Sequence, residues 1–170
     1  VILKTVNSAR GAFATVVIDS AENRAYKIFK NNRHPDYFGE DSFEDRRNSL
    51  VFESQVAAYN IIKANPILQS HTPNYFGVPF IERVLDHEGA DISYQYLLEC
   101  CYCIQLCVGE ERKFGICRLP HLESFAKLMS QHRIEFMFDS SVFNPDSERG
   151  FLFIDFATHD AATQFEMQCA

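Results

Sequence analysis

The sequence predicts an α+β chain in which a sheet-rich first part carrying one helix is followed by a smaller, helix-poor second part. Three observations predict it. Short apolar runs separated by polar turns fill positions 1–30 and 75–98, the mark of successive strands. One helical pattern interrupts them from Ser49. Beyond Pro120 a single amphipathic stretch precedes two short apolar segments broken by D-S-S and N-P-D-S-E-R-G.

Each element has its own justification. Val1 to Val6 and Val16 to Ile18 flank N-S-A-R-G-A-F-A-T and read as a hairpin. The turn D-S-A-E-N-R leads to A-Y-K-I-F-K, whose alternation puts Ala25, Lys27 and Phe29 on one face. Residues 31–48 are polar and show no period. Long connections of this kind serve either as solvated linkers or as docking elements. Ser49 can cap a helix with Phe52, Val56 and Tyr59 on one side, Ala58, Ile61 and Ile62 beside them, and Asn65-Pro66 as its stop. Glu53 lies next to that apolar side. Tyr75 to Leu85 and Ile92 to Leu98, either side of H-E-G-A-D, read as two more strands. Leu122, Phe125, Ala126 and Met129 recur at helical spacing up to about His132. Apolar Ile134 to Phe138 follows, and later the strand F-L-F-I.

Composition narrows the function classes. The 170 residues are 46% apolar and 23% charged, as in an ordinary soluble chain of one domain or two small lobes. With 16 Phe and 7 Tyr but no Trp, aromatic rings supply much of the core. A net charge of −7 argues against a nucleic-acid surface, which needs a basic face. No apolar run approaches the ~20 residues that span a bilayer, and no signal-peptide pattern opens the chain, which starts at Val1 as a processed or trimmed product would. Cys100, Cys101, Cys103 and Cys107 form C-C-x-C-x₃-C, which lacks the paired spacing of a zinc site. They read as buried reduced thiols of a cytosolic protein. The histidines are scattered and form no metal motif.

The residues best suited to chemistry are Asp139, Asn144 and Asp155, in D-S-S-V-F-N and F-L-F-I-D-F-A. Two oxygen donors on short loops beside buried strands can hold Mg²⁺ against phosphate oxygens, while a further carboxylate orients a hydroxyl. Asp155 follows four apolar residues directly. A carboxylate at the end of a buried strand is costly unless a cation or donor meets it.

With these motifs in order, the chain resembles the protein-kinase-like fold along nearly its whole length: two lobes, the first a five-stranded antiparallel sheet with one helix, the second reduced. The A-Y-K-I stretch is similar to the third-strand motif, which makes Lys27 the lysine on the α- and β-phosphates. Glu53 resembles the helix glutamate that pairs with it. H-T-P-N-Y-F-G-V resembles the segment after that helix. F-M-F-D-S-S-V-F-N resembles the catalytic loop, with Asp139 as base and Asn144 as metal ligand. I-D-F-A resembles D-F-G, with Asp155 as the main Mg²⁺ ligand.

The resemblance implies further contacts. ATP would touch Gly11, Val16, Ala25 and Lys27, with its adenine held by the backbone at Glu99 to Cys101. It places the lobe boundary at 99/100, giving an N-lobe over 1–99 and a C-lobe over 100–170. The implied activity is transfer of the γ-phosphate to a Ser or Thr hydroxyl of a protein; a small-molecule kinase and a nucleotide-binding scaffold of the same fold are the alternatives.

The chain also departs from the family's pattern. In A-R-G-A-F-A-T-V only Gly11 survives of the three glycines, Met137-Phe138 replaces His-Arg, Ser141 stands where many members carry a lysine, and Ala157 replaces the last glycine. Only fifteen residues follow Asp155. That shortness resembles the minimal kinases that some pathogenic bacteria inject into host cells. It implies a host protein as substrate and a partner that completes the small second lobe.

Overall fold

The computed structural model describes residues 1–37, 42–107, 110–111, 120–136, 141–143, 151–154 and 156–158. They fall into two compact units, Val1–Glu53 with Phe76–Leu106, and Ser54–Tyr75 with Cys107–Ala170.

The first unit is built on a sheet of strands β2 (Ser8–Arg10), β3 (Ala14–Asp19), β4 (Arg24–Lys30), β5 (Tyr75–Gly77) and β7 (Tyr96–Gln105). Their order is β2-β3-β4-β7-β5, and the sheet is antiparallel as expected. Helix α1 (Ser42–Lys63) enters the chain after the third of these strands, also as expected. The β3–β4 hairpin turns through Asn23 at φ 54°, a left-handed value that Asn tolerates. Asp19 Oδ1 accepts from the Glu22 amide at 3.1 Å in the same turn.

Two expectations fail here for physical reasons. Residues Ile2–Lys4 form strand β1, yet they do not extend the sheet by pairing with Val16 to Ile18. They pair in parallel with β6 (Arg83–Leu85), Leu3 opposite Val84. Leu3, Ile81 and Val84 thereby bury Val17, Tyr26, Ile28, Cys101 and Cys103 in one cluster. At roughly 1.5–3 kcal/mol for each large apolar side chain, covering this face outweighs one more sheet strand. The sheet's hairpin is β2–β3 instead, with Ala9 opposite Val16.

Helix α1 also begins seven residues before the expected Ser49. Its buried positions include Asn48, Ser54 and Gln55 beside Ala58, Tyr59 and Ile62, and polar residues on a buried face erase the hydrophobic period. Ser42-x-x-Asp45 has the form of a helix start. The stop at Asn65-Pro66 holds: α1 ends at Lys63, and Asn65 Oδ1 accepts from Ile67 and Leu68 to cap the short α2 (Pro66–Gln69).

Unit boundaries differ from 1–99 and 100–170 because β7 carries the first unit's ladder to Gln105, paired with Arg24. The chain enters the second unit again at Cys107. Half of α1 and the segment to Tyr75 also belong to that second unit.

In the second unit, α3 (Pro120–Gln131) buries Phe125 and Met129, the predicted stripe. Phe125 stacks on Phe153 at 5.5 Å. Tyr59 stacks on Tyr75 at 5.2 Å, meets Phe156 edge-on at 5.3 Å and donates its hydroxyl to the Ile154 carbonyl at 2.9 Å. Such ring pairs add about 0.5–1.5 kcal/mol each beyond the area they bury. The remaining strands are β8 (Glu110–Glu111), β9 (Ile134–Phe136), β10 (Ser141–Phe143), β11 (Phe151–Phe153) and β12 (Phe156–Thr158). Among the described residues no helix is long and apolar enough to cross a membrane.

Candidate functional site

One face of the first unit's sheet gathers three of the predicted contacts, Val16, Ala25 and Lys27. Val16 lies directly opposite Lys27, and opposed residues share a face. Ala25 lies two residues before Lys27 on the same strand, hence on the same face. Tyr102, on the other side, also pairs with Lys27. The Lys27 ammonium stands 5.9 Å from the centroid of the Phe29 ring, inside the range of a cation–π contact. Phe29 in turn meets Phe52 of α1 edge-on at 5.6 Å and Tyr102 at 6.4 Å. Lys27 is therefore half-buried on an aromatic bed.

Gly11 sits in the β2–β3 turn, where its amide donates to the Ala14 carbonyl at 2.9 Å. Its φ is not left-handed; the only described glycines with positive φ are Gly77 and Gly89. Space is what selects glycine here, since a Cβ would lie 3.1 Å from the Ala14 oxygen. Ala9 and Ala14 have no positive φ either. The turn thus closes without the glycines missing from the pattern.

Glu53 departs from its expected role. It is exposed on α1, and among the described residues no ion pair joins it to Lys27. Its charge acts on Cys100 instead. That thiol is pushed up to about 11, first by burial, with the Glu99 and Glu53 carboxylates adding to the rise and the Ser49 hydroxyl opposing it.

Glu99 and Cys101 both lie within β7. Cys101 is fully buried opposite Ile28, within the apolar cluster on the far face, and burial raises its thiol strongly. The ladder slips between Ile28 and Phe29, the latter paired with Leu97. Leu98, Glu99 and Cys100 occupy this irregularity. The expected adenine-holding segment is therefore mid-strand, with the Cys101 side chain turned into the core.

Asp139, Asn144 and Asp155 lie outside the described residues, but the strands around them are described. Strand β9 pairs with β12, Phe136 opposite Phe156 and Ile134 opposite Thr158. Strand β10 pairs with β11, Ser141 opposite Phe153 and Phe143 opposite Phe151. The two ladders are nested in the chain. In chain order 137–140, which holds Asp139, lies between β9 and β10, and Asp155 lies between β11 and β12. Asn144 directly follows the inner strand β10. Ser54 Oγ accepts from the Thr158 amide at 2.9 Å, tying β12 to α1.

Sequence reasoning missed a second polar group in the first unit. Lys30 is 1% exposed, and its ammonium donates to the Gly11 carbonyl at 2.7 Å and to Asp36 Oδ2 at 2.6 Å. The ammonium and its neighbours hold the Asp36 carboxyl below its usual range. Asn48 Nδ2 donates to the Lys30 carbonyl at 2.7 Å and to the Tyr37 hydroxyl at 3.0 Å. Tyr37 donates to the Ala12 carbonyl at 2.9 Å. The Arg47 guanidinium stacks over Phe13 and Tyr37 at 5.1 and 5.7 Å. Residues 31–37 are thus a strap against the β2–β3 turn. No spacing announces it, because the partners come from four separate segments.

Compared with family models, with curated proteins and with solved structures, the chain has no match.

Proposed function

We propose that this chain is an ATP-dependent phosphotransferase whose acceptor is a protein Ser or Thr hydroxyl. The observation that carries the reading is the nested pairing of β9 with β12 and β10 with β11. In chain order Asp139 stands between β9 and β10, and Asp155 between β11 and β12, so both carboxylates adjoin strands of these two ladders. Asp139 would accept the hydroxyl proton and orient its oxygen. Asn144 and Asp155 would hold Mg²⁺; a carboxylate and an amide oxygen are the hard donors this ion prefers. When bound, the ion neutralises charge developing on the transferred phosphoryl group. Lys27, on the face it shares with Val16 and Ala25, would hold the phosphate chain, and the aromatic bed beneath it limits how far its ammonium can swing.

Stability against nucleotide tests this. ATP with Mg²⁺ is expected to raise the melting temperature, by about 2.7 kcal/mol of added stability at a hundredfold excess over Kd. Asp155→Asn is expected to remove the Mg²⁺-dependent part, and Asp139→Asn to keep binding but stop transfer. No shift in the unsubstituted protein would end the proposal.

A nucleotide-binding scaffold without catalysis is the second reading, favoured by the exposure of Glu53 and its lack of an ion pair with Lys27. Under that reading a nucleotide shift is expected without phosphate transfer to any protein offered.

A further inference from the structure

We infer that residues 33–37 are an acid-released latch: uptake of a proton at His34 Nδ1 draws the Asp36 carboxylate off Lys30 and frees this end of the strap from the β2–β3 turn. One carboxylate oxygen carries the switch. Asp36 Oδ2 lies 2.6 Å from the Lys30 ammonium and 3.6 Å from His34 Nδ1. The first is a charge-assisted hydrogen bond, and the second is beyond hydrogen-bond reach. His34 Nδ1 is meanwhile engaged as an acceptor, taking the Asp36 amide at 3.2 Å. A proton there sets N–H against N–H, so that bond cannot survive. The new N–H needs an acceptor, and Oδ2 comes within reach only by leaving Lys30.

Burial makes this exchange an opening rather than the turn of one side chain. Lys30 is 1% exposed and His34 is 9% exposed. Without Asp36 the ammonium keeps the Gly11 carbonyl, and a buried charge short of partners is costly until water reaches it. The surroundings of the ring oppose the proton. Burial acts most, Lys30 on β4 and Arg10 on β2 act in the same sense, and Asp36 acts against them, so His34 titrates below its usual range. Tyr96 on β7 and Tyr37 of the strap meet the ring edge-on at 5.3 and 6.4 Å. Burial pushes the Tyr96 hydroxyl up and leaves it neutral.

The anchors define which part moves. Asn31 Nδ2 donates to the Tyr94 and Tyr96 carbonyls at 2.7 and 3.3 Å, and the Asn32 amide donates to Asp45 Oδ1 of α1 at 2.7 Å. None of these bonds involves His34 or the Lys30 ammonium. Beyond them the strap is held by Asp36 on Lys30 and by the Tyr37 hydroxyl on the Ala12 carbonyl at 2.9 Å. The latch therefore turns about Asn31 and Asn32, and it needs no nucleotide to operate.

Amide hydrogen exchange of the whole chain between about pH 8 and 5 tests it, with the His34 ring followed by NMR. The Asp36 and Tyr37 amides are expected to exchange through a local opening that denaturant does not promote, well before the β3–β4 ladder. Corrected for the intrinsic pH dependence of exchange, this opening is expected to rise by up to about tenfold per pH unit below about 6.5, then level off below the folded value of His34. His34→Gln, whose side-chain oxygen can still take the Asp36 amide, is expected to keep the strap closed and abolish the rise. Tyr37→Phe is expected to increase opening about five- to tenfold at every pH, the weight of one hydrogen bond, without changing the slope. The inference is overturned if the strap amides exchange only together with the ladder, at its rate and with its denaturant dependence. It is equally overturned if the rise survives in His34→Gln, or if Tyr37→Phe opens the strap no further.

Discussion

The middle and the end of β4 treat the same side chain in opposite ways. Lys27 is only partly buried and lays its ammonium near the Phe29 ring. Lys30, three residues on, is buried and spends its charge on Gly11 and Asp36. A lysine in a strand is thus informative only through its partners. The buried one holds the framework, and the half-buried one lies against an aromatic ring.

Substitution separates the two ends most sharply. Lys30→Ala is expected to destabilise the protein by about 3 kcal/mol, since it leaves a carbonyl and a carboxylate without their donor. Asp36 is 35% exposed and regains water, which keeps the loss at the low end of that class. Lys27→Ala is expected to cost less than about 1 kcal/mol in denaturant melts while removing the ATP-dependent shift. Equal losses at both positions would dissolve the distinction.

Acidity probes the strap end alone. Burial, followed by the charge of Lys30, lowers His34 below its ordinary 6.5, with Asp36 opposing. Its Nδ1 accepts from the Asp36 amide at 3.2 Å, as only a neutral ring can. Below pH 6.5 the unfolded chain takes up this proton before the folded one does, so stability falls with pH from 6.5 down to the folded value. His34→Gln is expected to flatten that part of a melting-temperature profile. The depressed Asp36 adds a second loss at still lower pH, as it protonates through its folded value.

The smallest expected effect concerns glycine. Gly11→Ala meets one carbonyl at 3.1 Å without a left-handed φ and is expected to cost under about 1 kcal/mol. Gly77→Ala, at φ 94°, is expected to cost more although its Cβ would meet nothing within 4 Å.

The sheet was legible because short apolar runs between polar turns mark β3 and β4, and α3 because Phe125 and Met129 keep helical spacing. The early start of α1 was not, since Asn48 and Gln55 occupy buried positions that apolar residues usually mark. Placing β1 in the sheet failed because alternation says which face a strand buries and nothing about its neighbour. At the candidate site, period-two reasoning gave the shared face of Ala25 and Lys27, and the structure adds Val16 opposite Lys27. A linear motif carries no information on helix rotation, hence on the exposure of Glu53, or on a slip in a ladder such as that at Ile28 and Phe29.

The nested ladders make length a guarded property. An extra residue between Phe143 and Phe151 lengthens only a connection whose two ends stay opposite each other. An extra residue at 137–140 has no such freedom, because Phe136 and Ser141 are each tied to a different partner, Phe156 and Phe153. Drift in this part of the gene would therefore be tolerated as exchange of side chains long before it was tolerated as a change in spacing.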